Sequence, residues 1–246
     1  DGTVSVAAET AVSQAVGAST VFQSGNTEST SAAYDANAQR VVVAYLAEPS
    51  QLGKAVVGTV SGTDISFGTP VTFQASNVSW TSVVYDANAQ KVVIAYQKSE
   101  QGRAIVGTVS GTNISFGSAT VYNSATSTWT SSTFDSLNNK VVVAYRGATS
   151  GYGEARVATV SGTSISFGSS TVFSTQTTGG TSEISAVFDS SSNKVVIGWQ
   201  DGTDSNKGAA VVGTVSGTSI SFGSKVFFSD SASGDISGTF DSNANK

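Results

Sequence analysis

The chain has no cysteine, no histidine and no methionine, only two prolines, and 12 lysines and arginines among its 246 residues. Without cysteine there is no disulfide and no thiolate nucleophile. Without histidine, Ser-His and Cys-His couples, zinc sites of the usual kind and histidine-held haem are excluded as well. Chemistry in this chain therefore runs on carboxylates, hydroxyls, lysine, arginine or tyrosine. Charge is scarce: charged residues make up 12%, and 17 acids outweigh the bases to give a net charge of -5. An isoelectric point near 4.6 sets the field of the protein against a phosphate backbone, so nucleic acid is not an expected partner. No apolar run approaches the roughly 18 residues of a membrane helix, and no membrane insertion is expected. The opening DGTVSVAAETAVSQAVG lacks the basic and apolar regions of a signal peptide and reads as the start of a mature or excised product. Abundant Ser, Thr and Gly with little charge suits an extracellular or virion surface.

What the sequence does hold is repetition. TVSGTSISFGS stands word for word at Thr159 to Ser169 and at Thr214 to Ser224, with near copies from Thr59 and Thr108. A second signature is interleaved with it: YDANAQRVVVAY from Tyr34, YDANAQKVVIAY from Tyr85, FDSLNNKVVVAY from Phe134, FDSSSNKVVIGW from Phe188 and FDSNANK from Phe240. Its aspartates, at 35, 86, 135, 189 and 241, follow one another at intervals of 51, 49, 54 and 52 residues. A period near fifty built of short β-type segments marks a propeller or related array, in which no repeat buries its faces alone.

One repeat yields four strands, A to D: Ser79 to Gln90, which ends in a turn rich in Asp, Asn and Ala, Lys91 to Gln97, Gly102 to Thr112, and Asn113 to Asn123 with a glycine interruption. The VVVAY runs are apolar at consecutive positions, as in a strand covered on both faces. The Val-Ser-Gly-Thr segment places glycine where a tight C to D hairpin needs positive φ. Phe67, Phe116, Phe167 and Phe222 are expected to cap the outer end of each repeat, and Gly68, Gly117, Gly168 and Gly223 to mark bulges. Each signature aspartate is expected to make an Asx turn, with Arg40, Lys91, Lys140, Lys194 or Lys246 across the hairpin.

The expected fold is therefore all-β: a single domain over 1–246, a five-bladed β-propeller of four-stranded antiparallel blades. Its units cover approximately 26–75, 76–124, 125–175, 176–230, and 231–246 plus 1–25, the last blade being closed by strands from both termini. Asp235 to Asp241 supplies strand A of that split blade and Gly17 to Phe22 strand D, while Gly2 to Ser5 looks like a C strand. The missing B strand is either replaced by Asp1 to Glu9 or lies beyond Lys246. On these motifs the chain resembles β-propellers of the broad Asp-box and lectin-like kind, in which a comparable glycine turn joins strands C and D. The units GTVSGTxISFG and FDSxxNKVVIAY resemble repeats of marine phage and bacterial surface proteins. The resemblance covers nearly the whole chain, but Gly-Thr-Ser-Ile-Ser-Phe-Gly lacks the Asp and Trp of the Asp-box, so no catalytic residue is carried over.

Specificity is sought where equivalent positions diverge. Six residues before each signature aspartate the copies read Ser29, Trp80, Trp129, Glu183 and Asp235; just after strand B they read Leu46, Gln97, Arg146 and Gln200. Both sets are expected on one rim. Indole faces beside carboxylates and amides suit a sugar, whose C–H face stacks while its hydroxyls are bound. The candidate ligand-binding residues are accordingly Trp80, Trp129, Glu183, Asp235, Gln97, Arg146 and Gln200. The competing reading is that Trp80 and Trp129 only plug the axial channel. A glycoside hydrolase would require Glu183 and Asp235 as an acid and base held about 5 to 9 Å apart, without a motif to support it. Asp35-x-Asn37-x-Gln39 and its copies resemble half of a calcium loop but lack its glycine and distal glutamate, so neither metal nor cofactor is expected. The expected function is non-enzymatic recognition or surface display, with a glycan or cell-surface polysaccharide as partner. The alternative is a structural subunit of a virion, fibre or filament that self-associates through the split fifth blade.

Overall fold

Each (Tyr/Phe)-Asp signature opens a tight turn in which the aspartate binds its own backbone, and the first four of them also close a strand. Asp35 Oδ1 accepts N–H bonds from Asn37 and Ala38 at 3.0 and 2.9 Å. Asp135 accepts them from Leu137 and Asn138, Asp189 from Ser191 and Ser192, and Asp241 from Asn243 and Ala244. The basic residue five positions on stands directly opposite, Asp35 across from Arg40 and Asp86 across from Lys91. These are the Asx hairpins expected of the sequence.

The computed structural model describes residues 16–147, 151–175 and 180–246, an all-β chain that is 65% strand with no helix among the described residues. The first unit consists of β1 (Thr27–Asp35), β2 (Arg40–Ala47), β3 (Leu52–Ser61), β4 (Asp64–Phe67) and β5 (Val71–Gln74). The second holds β6 (Val78–Asp86), β7 (Lys91–Lys98), β8 (Gln101–Ser110), β9 (Asn113–Phe116) and the start of β10 (Thr120–Asp135). The rest of β10 opens the third unit, followed by β11 (Lys140–Gly147), β12 (Tyr152–Ser161), β13 (Ser164–Phe167) and β14 (Thr171–Ser174). The fourth is β15 (Thr181–Asp189), β16 (Lys194–Asp201), β17 (Lys207–Ser216), β18 (Ser219–Phe222) and β19 (Val226–Ala232). Within a unit the strands pair antiparallel in chain order, β1-β2-β3-β4 with β5 also on β3. Because β10 serves two units, the described strands form sheets of five, nine and five strands, which do not close on one another.

The expected D strand is thus split, and the split explains the glycines read as bulges. A Cβ on Gly68, Gly117 or Gly168 would fall 2.1, 2.1 or 1.9 Å from the carbonyl oxygen of Thr112, Thr163 or Thr218 in the next unit's turn. Glycine is required there by the close approach of a neighbouring backbone rather than by an extra residue in a ladder. The hairpin glycines behave as expected: Gly62, Gly111, Gly162 and Gly217 have φ of 59 to 61°, the glycine position of a two-residue hairpin loop. Nothing lies within 4 Å of a Cβ built on Gly162. Gly162→Ala is therefore expected to cost about 1–2 kcal/mol through backbone strain alone, read as a lower urea midpoint with an unchanged slope.

Consecutive apolar residues in the second strand of each unit serve two interfaces. Val92, Ile94 and Tyr96 join the buried cluster with Val42, Ala44 and Phe73 of the first unit, whereas Val93 and Ala95 join that with Val141, Val143 and Tyr145 of the third. Each fully buried side chain of this kind contributes about 1.5–3 kcal/mol. An aromatic from the fourth-strand position seals each interface by packing on two rings of the following unit. Phe73 lies 5.2 and 5.9 Å from Tyr96 and Phe116, Tyr122 5.1 and 5.6 Å from Tyr145 and Phe167, and Phe173 5.3 and 5.8 Å from Trp199 and Phe222. Phe116, Phe167 and Phe222 are therefore interface residues, not caps on an outer tip.

A polar thread links the first strands. Ser31 Oγ accepts the N–H of Val83, Ser82 Oγ that of Ser132, Ser131 Oγ that of Ala186, and Ser185 Oγ that of Gly238, at 2.9 to 3.0 Å. Residues 235–241 thereby take the next place in the series without pairing into a ladder, and 17–22 also form no strand, unlike both sequence expectations. Even so, Phe22 packs 5.1 and 5.5 Å from Tyr45 and Phe67, and a Cβ on Gly17 would fall 2.0 Å from the Thr63 carbonyl oxygen. Gly2 to Ser5 and Asp1 to Glu9 lie outside the described residues. The outward face of the fourth unit is open: Val212 is 48% exposed where Val57, Val106 and Val157 are 0%, and Phe228 is 58% exposed.

Candidate functional site

The first strand of every complete unit carries a one-residue slip against its partner, between Glu28 and Ser31, Ser79 and Ser82, Thr128 and Ser131, and Ser182 and Ser185. Two residues there oppose one, which makes a β-bulge that re-aims its side chains. The first bulge residue is Ser29, Trp80, Trp129 or Glu183, with φ of 48, 51, 53 and 51°, and Asp235 repeats the geometry at 51°. These are positions where the copies diverge. An L-residue in this left-handed region bears roughly 1–2 kcal/mol of strain that glycine would avoid. The chain has 26 glycines yet places none in this column, so these side chains are kept against the preference of the backbone.

The bulges open on one cavity of about 330 Å³ lined by Ser29, Thr30, Trp80, Thr81, Trp129, Thr130, Glu183, Ile184 and Ile236. The indoles of Trp80 and Trp129 lie with ring centroids 4.2 Å apart at an interplanar angle of 45°. Trp129 also packs against the cluster between the third and fourth units, and the backbone N–H of Trp80 donates to Ser29 Oγ at 3.1 Å. Both rings are half-buried. Glu183 has its pKa raised above the usual carboxylate value, first by burial and then by the nearby Asp235 carboxylate. The cavity thus offers an aromatic wedge, the hydroxyls of Ser29 and Thr30 and a partly desolvated acid with a second acid near it, while the Thr81 and Thr130 hydroxyls are buried beneath it, the latter bonded to Tyr122.

The other candidates do not join this cavity. Gln97 accepts a 2.5 Å bond from Ser79 Oγ and lines a separate hollow between the first two units, with Glu28, Glu48 and Glu100. Gln200 accepts from Ser182 Oγ at 2.8 Å and donates to the Ser233 carbonyl, so it ties β15 to the chain after β19. Arg146 lies against Gly180, where an added Cβ would fall 2.4 Å from its guanidinium carbon. Gln97, Arg146 and Gln200 pair with the residue just before each bulge, Ser79, Thr128 and Ser182, so they stand beside the bulge column and not opposite it. Thr30, Thr81, Thr130, Ile184 and Ile236 were missed by the sequence reading; they occupy the column immediately after the divergent one, and reading both positions would have found them. Among the described residues no group of three or more Asp or Glu is placed to hold a metal.

No protein-family model and no curated protein matches the chain. Solved structures do resemble it. A mutant of AofleA from Arthrobotrys oligospora, 11% identical, superimposes with a TM-score of 0.59 over 87% of this chain and 60% of that one. An exo-β-1,3-galactanase from Clostridium thermocellum, 10% identical, gives a TM-score of 0.52 over 82% of this chain and 48% of its own. The likeness shows a shared all-β fold, and the chain spans only 60% and 48% of these two neighbours.

Proposed function

We propose that the units are blades of a five-bladed β-propeller and that the cavity shared by their first strands binds carbohydrate, making the protein a non-enzymatic recognition or display module of an extracellular or virion surface. The observation that carries this reading is the Trp80–Trp129 wedge, held by strained bulges over hydroxyls and a carboxylate. Fixed indole faces match the C–H face of a pyranose, and the polar lining matches its hydroxyls. A galactan-cleaving enzyme among the structural neighbours supports the ligand class. The split fifth blade is supported by Phe22 and Gly17, which repeat the contacts of the other fourth strands, and by Gly238, which continues the serine thread.

The test is a glycan array with Trp80→Ala alongside. Trp80 is the cleaner probe because Trp129 also supports the core. Loss of a stacking aromatic is expected to weaken saccharide binding by ~2 kcal/mol or more, about thirtyfold, with thermal unfolding nearly unchanged. A large stability loss without any saccharide bound by the parent protein would favour the channel plug.

Two specific observations favour other readings. The exposed Val212, Val226, Phe227 and Phe228 on the fourth unit suit a structural subunit that self-associates, and sedimentation of a concentrated sample as a monomer would count against it. The raised pKa of Glu183 beside Asp235 suits a glycoside hydrolase, and turnover of aryl galactosides that disappears in Glu183→Gln would establish one.

A further inference from the structure

We propose that the ligand of the shared cavity carries a protonated amine, an amino sugar with a free amino group being the class that fits. The inference rests on the carbohydrate reading above and sharpens it. The lining presents two indoles, the hydroxyls of Ser29 and Thr30 and Glu183, with Asp235 nearby, and contains no lysine or arginine. A neutral sugar satisfies the rings and hydroxyls but leaves this negative charge in a half-buried hollow without a counter-ion. An ammonium group answers both features together, because the negative face of an indole attracts a cation as the carboxylates do.

The same protein shows how it treats paired acids that need no ligand. Asp201 and Asp204 bracket Lys225, whose Nζ lies 2.7 and 2.9 Å from their carboxylates. In the cavity column the five copies read Ser, Trp, Trp, Glu and Asp, all at the same left-handed φ, and no copy supplies the cation. The upward shift of the Glu183 pKa, from burial and the Asp235 charge, is the electrostatic signature of that arrangement. With a net charge of -5, the protein also draws a cationic ligand toward itself.

The experiment is calorimetric titration of the full chain with a β-1,4-linked glucosamine trimer, with its N-acetylated counterpart and with β-1,3-galactobiose, at a pH that keeps the free amine protonated. The expected result is at least tenfold tighter binding of the glucosamine trimer than of either neutral probe. Glu183→Gln, close in shape to the parent, should erase that advantage at an unchanged melting temperature, while Trp80→Ala should weaken every saccharide. Equal or tighter binding of a neutral probe that still depends on Trp80 overturns the amine and leaves the carbohydrate reading standing. Binding of no saccharide, with choline as a sugar-free ammonium control, overturns both.

Discussion

Phe173→Ala is expected to lower stability by about 3–5 kcal/mol, a fall in melting temperature on the order of 10 °C for a chain of this size, whereas Phe228→Ala is expected to cost about 1 kcal/mol or less. The two residues hold the same place in consecutive units. Phe173 is clamped between Trp199 and Phe222 of the fourth unit, at 5.3 and 5.8 Å, and is 9% exposed; Phe228 is 58% exposed. Truncating the first empties a site whose walls are β-sheet and cannot collapse, so both the transfer and the cavity terms apply. The pair also reports on the state of the open face. An equal cost at Phe228, measured at dilute and concentrated protein, would mean that this face is covered in solution, which would favour the self-associating reading.

The period of about fifty, the four strand positions, the Asx hairpins and the glycine of the C to D loop were legible because each rests on local backbone chemistry. Asp35 binds N–H groups two and three residues away, and Gly62 needs only its own φ. The consecutive valines and alanine of β2 or β7 announced burial on two faces for a comparable reason. What the sequence hid is non-local. The serine thread runs between residues roughly fifty apart, as from Ser31 to Val83, and serine is too common for its repetition to stand out. Gly68 and its copies read as bulges because the Thr112 carbonyl that excludes a Cβ belongs to another repeat.

The bulge itself was invisible because its first residue is tryptophan, glutamate or serine where the backbone would prefer glycine. Divergence between copies still identified Trp80, Trp129 and Glu183, which the cavity brings together. The same reasoning failed to gather Gln97, Arg146 and Gln200, since the hollow into which a strand-end side chain turns depends on the packing of neighbouring loops. A position's divergence locates a surface that varies; only the direction of the backbone decides which surface it is.

Gly153→Ala should be strongly destabilising although it adds a single methyl group. A Cβ at Gly153 would lie 2.4 and 2.5 Å from two ring carbons of Phe173, well inside van der Waals contact. Phe173 is held by Trp199 and Phe222 and has nowhere to go. Overpacking of this kind costs about 1–3 kcal/mol and more where the neighbours are rigid, so a loss at the upper end is expected in thermal or urea unfolding. Gly208→Ala brings a Cβ 2.3 Å from Phe228, an even shorter approach on paper, yet that ring is mostly solvent-exposed and can swing away, so little cost is expected. The decisive variant combines Gly153→Ala with Phe173→Leu. If the clash with the ring is the cause, removing the ring should recover part of the glycine penalty, giving a double-mutant loss smaller than the sum of the single ones. Strict additivity would mean instead that alanine strains the backbone of β12 at Gly153 independently of the ring above it.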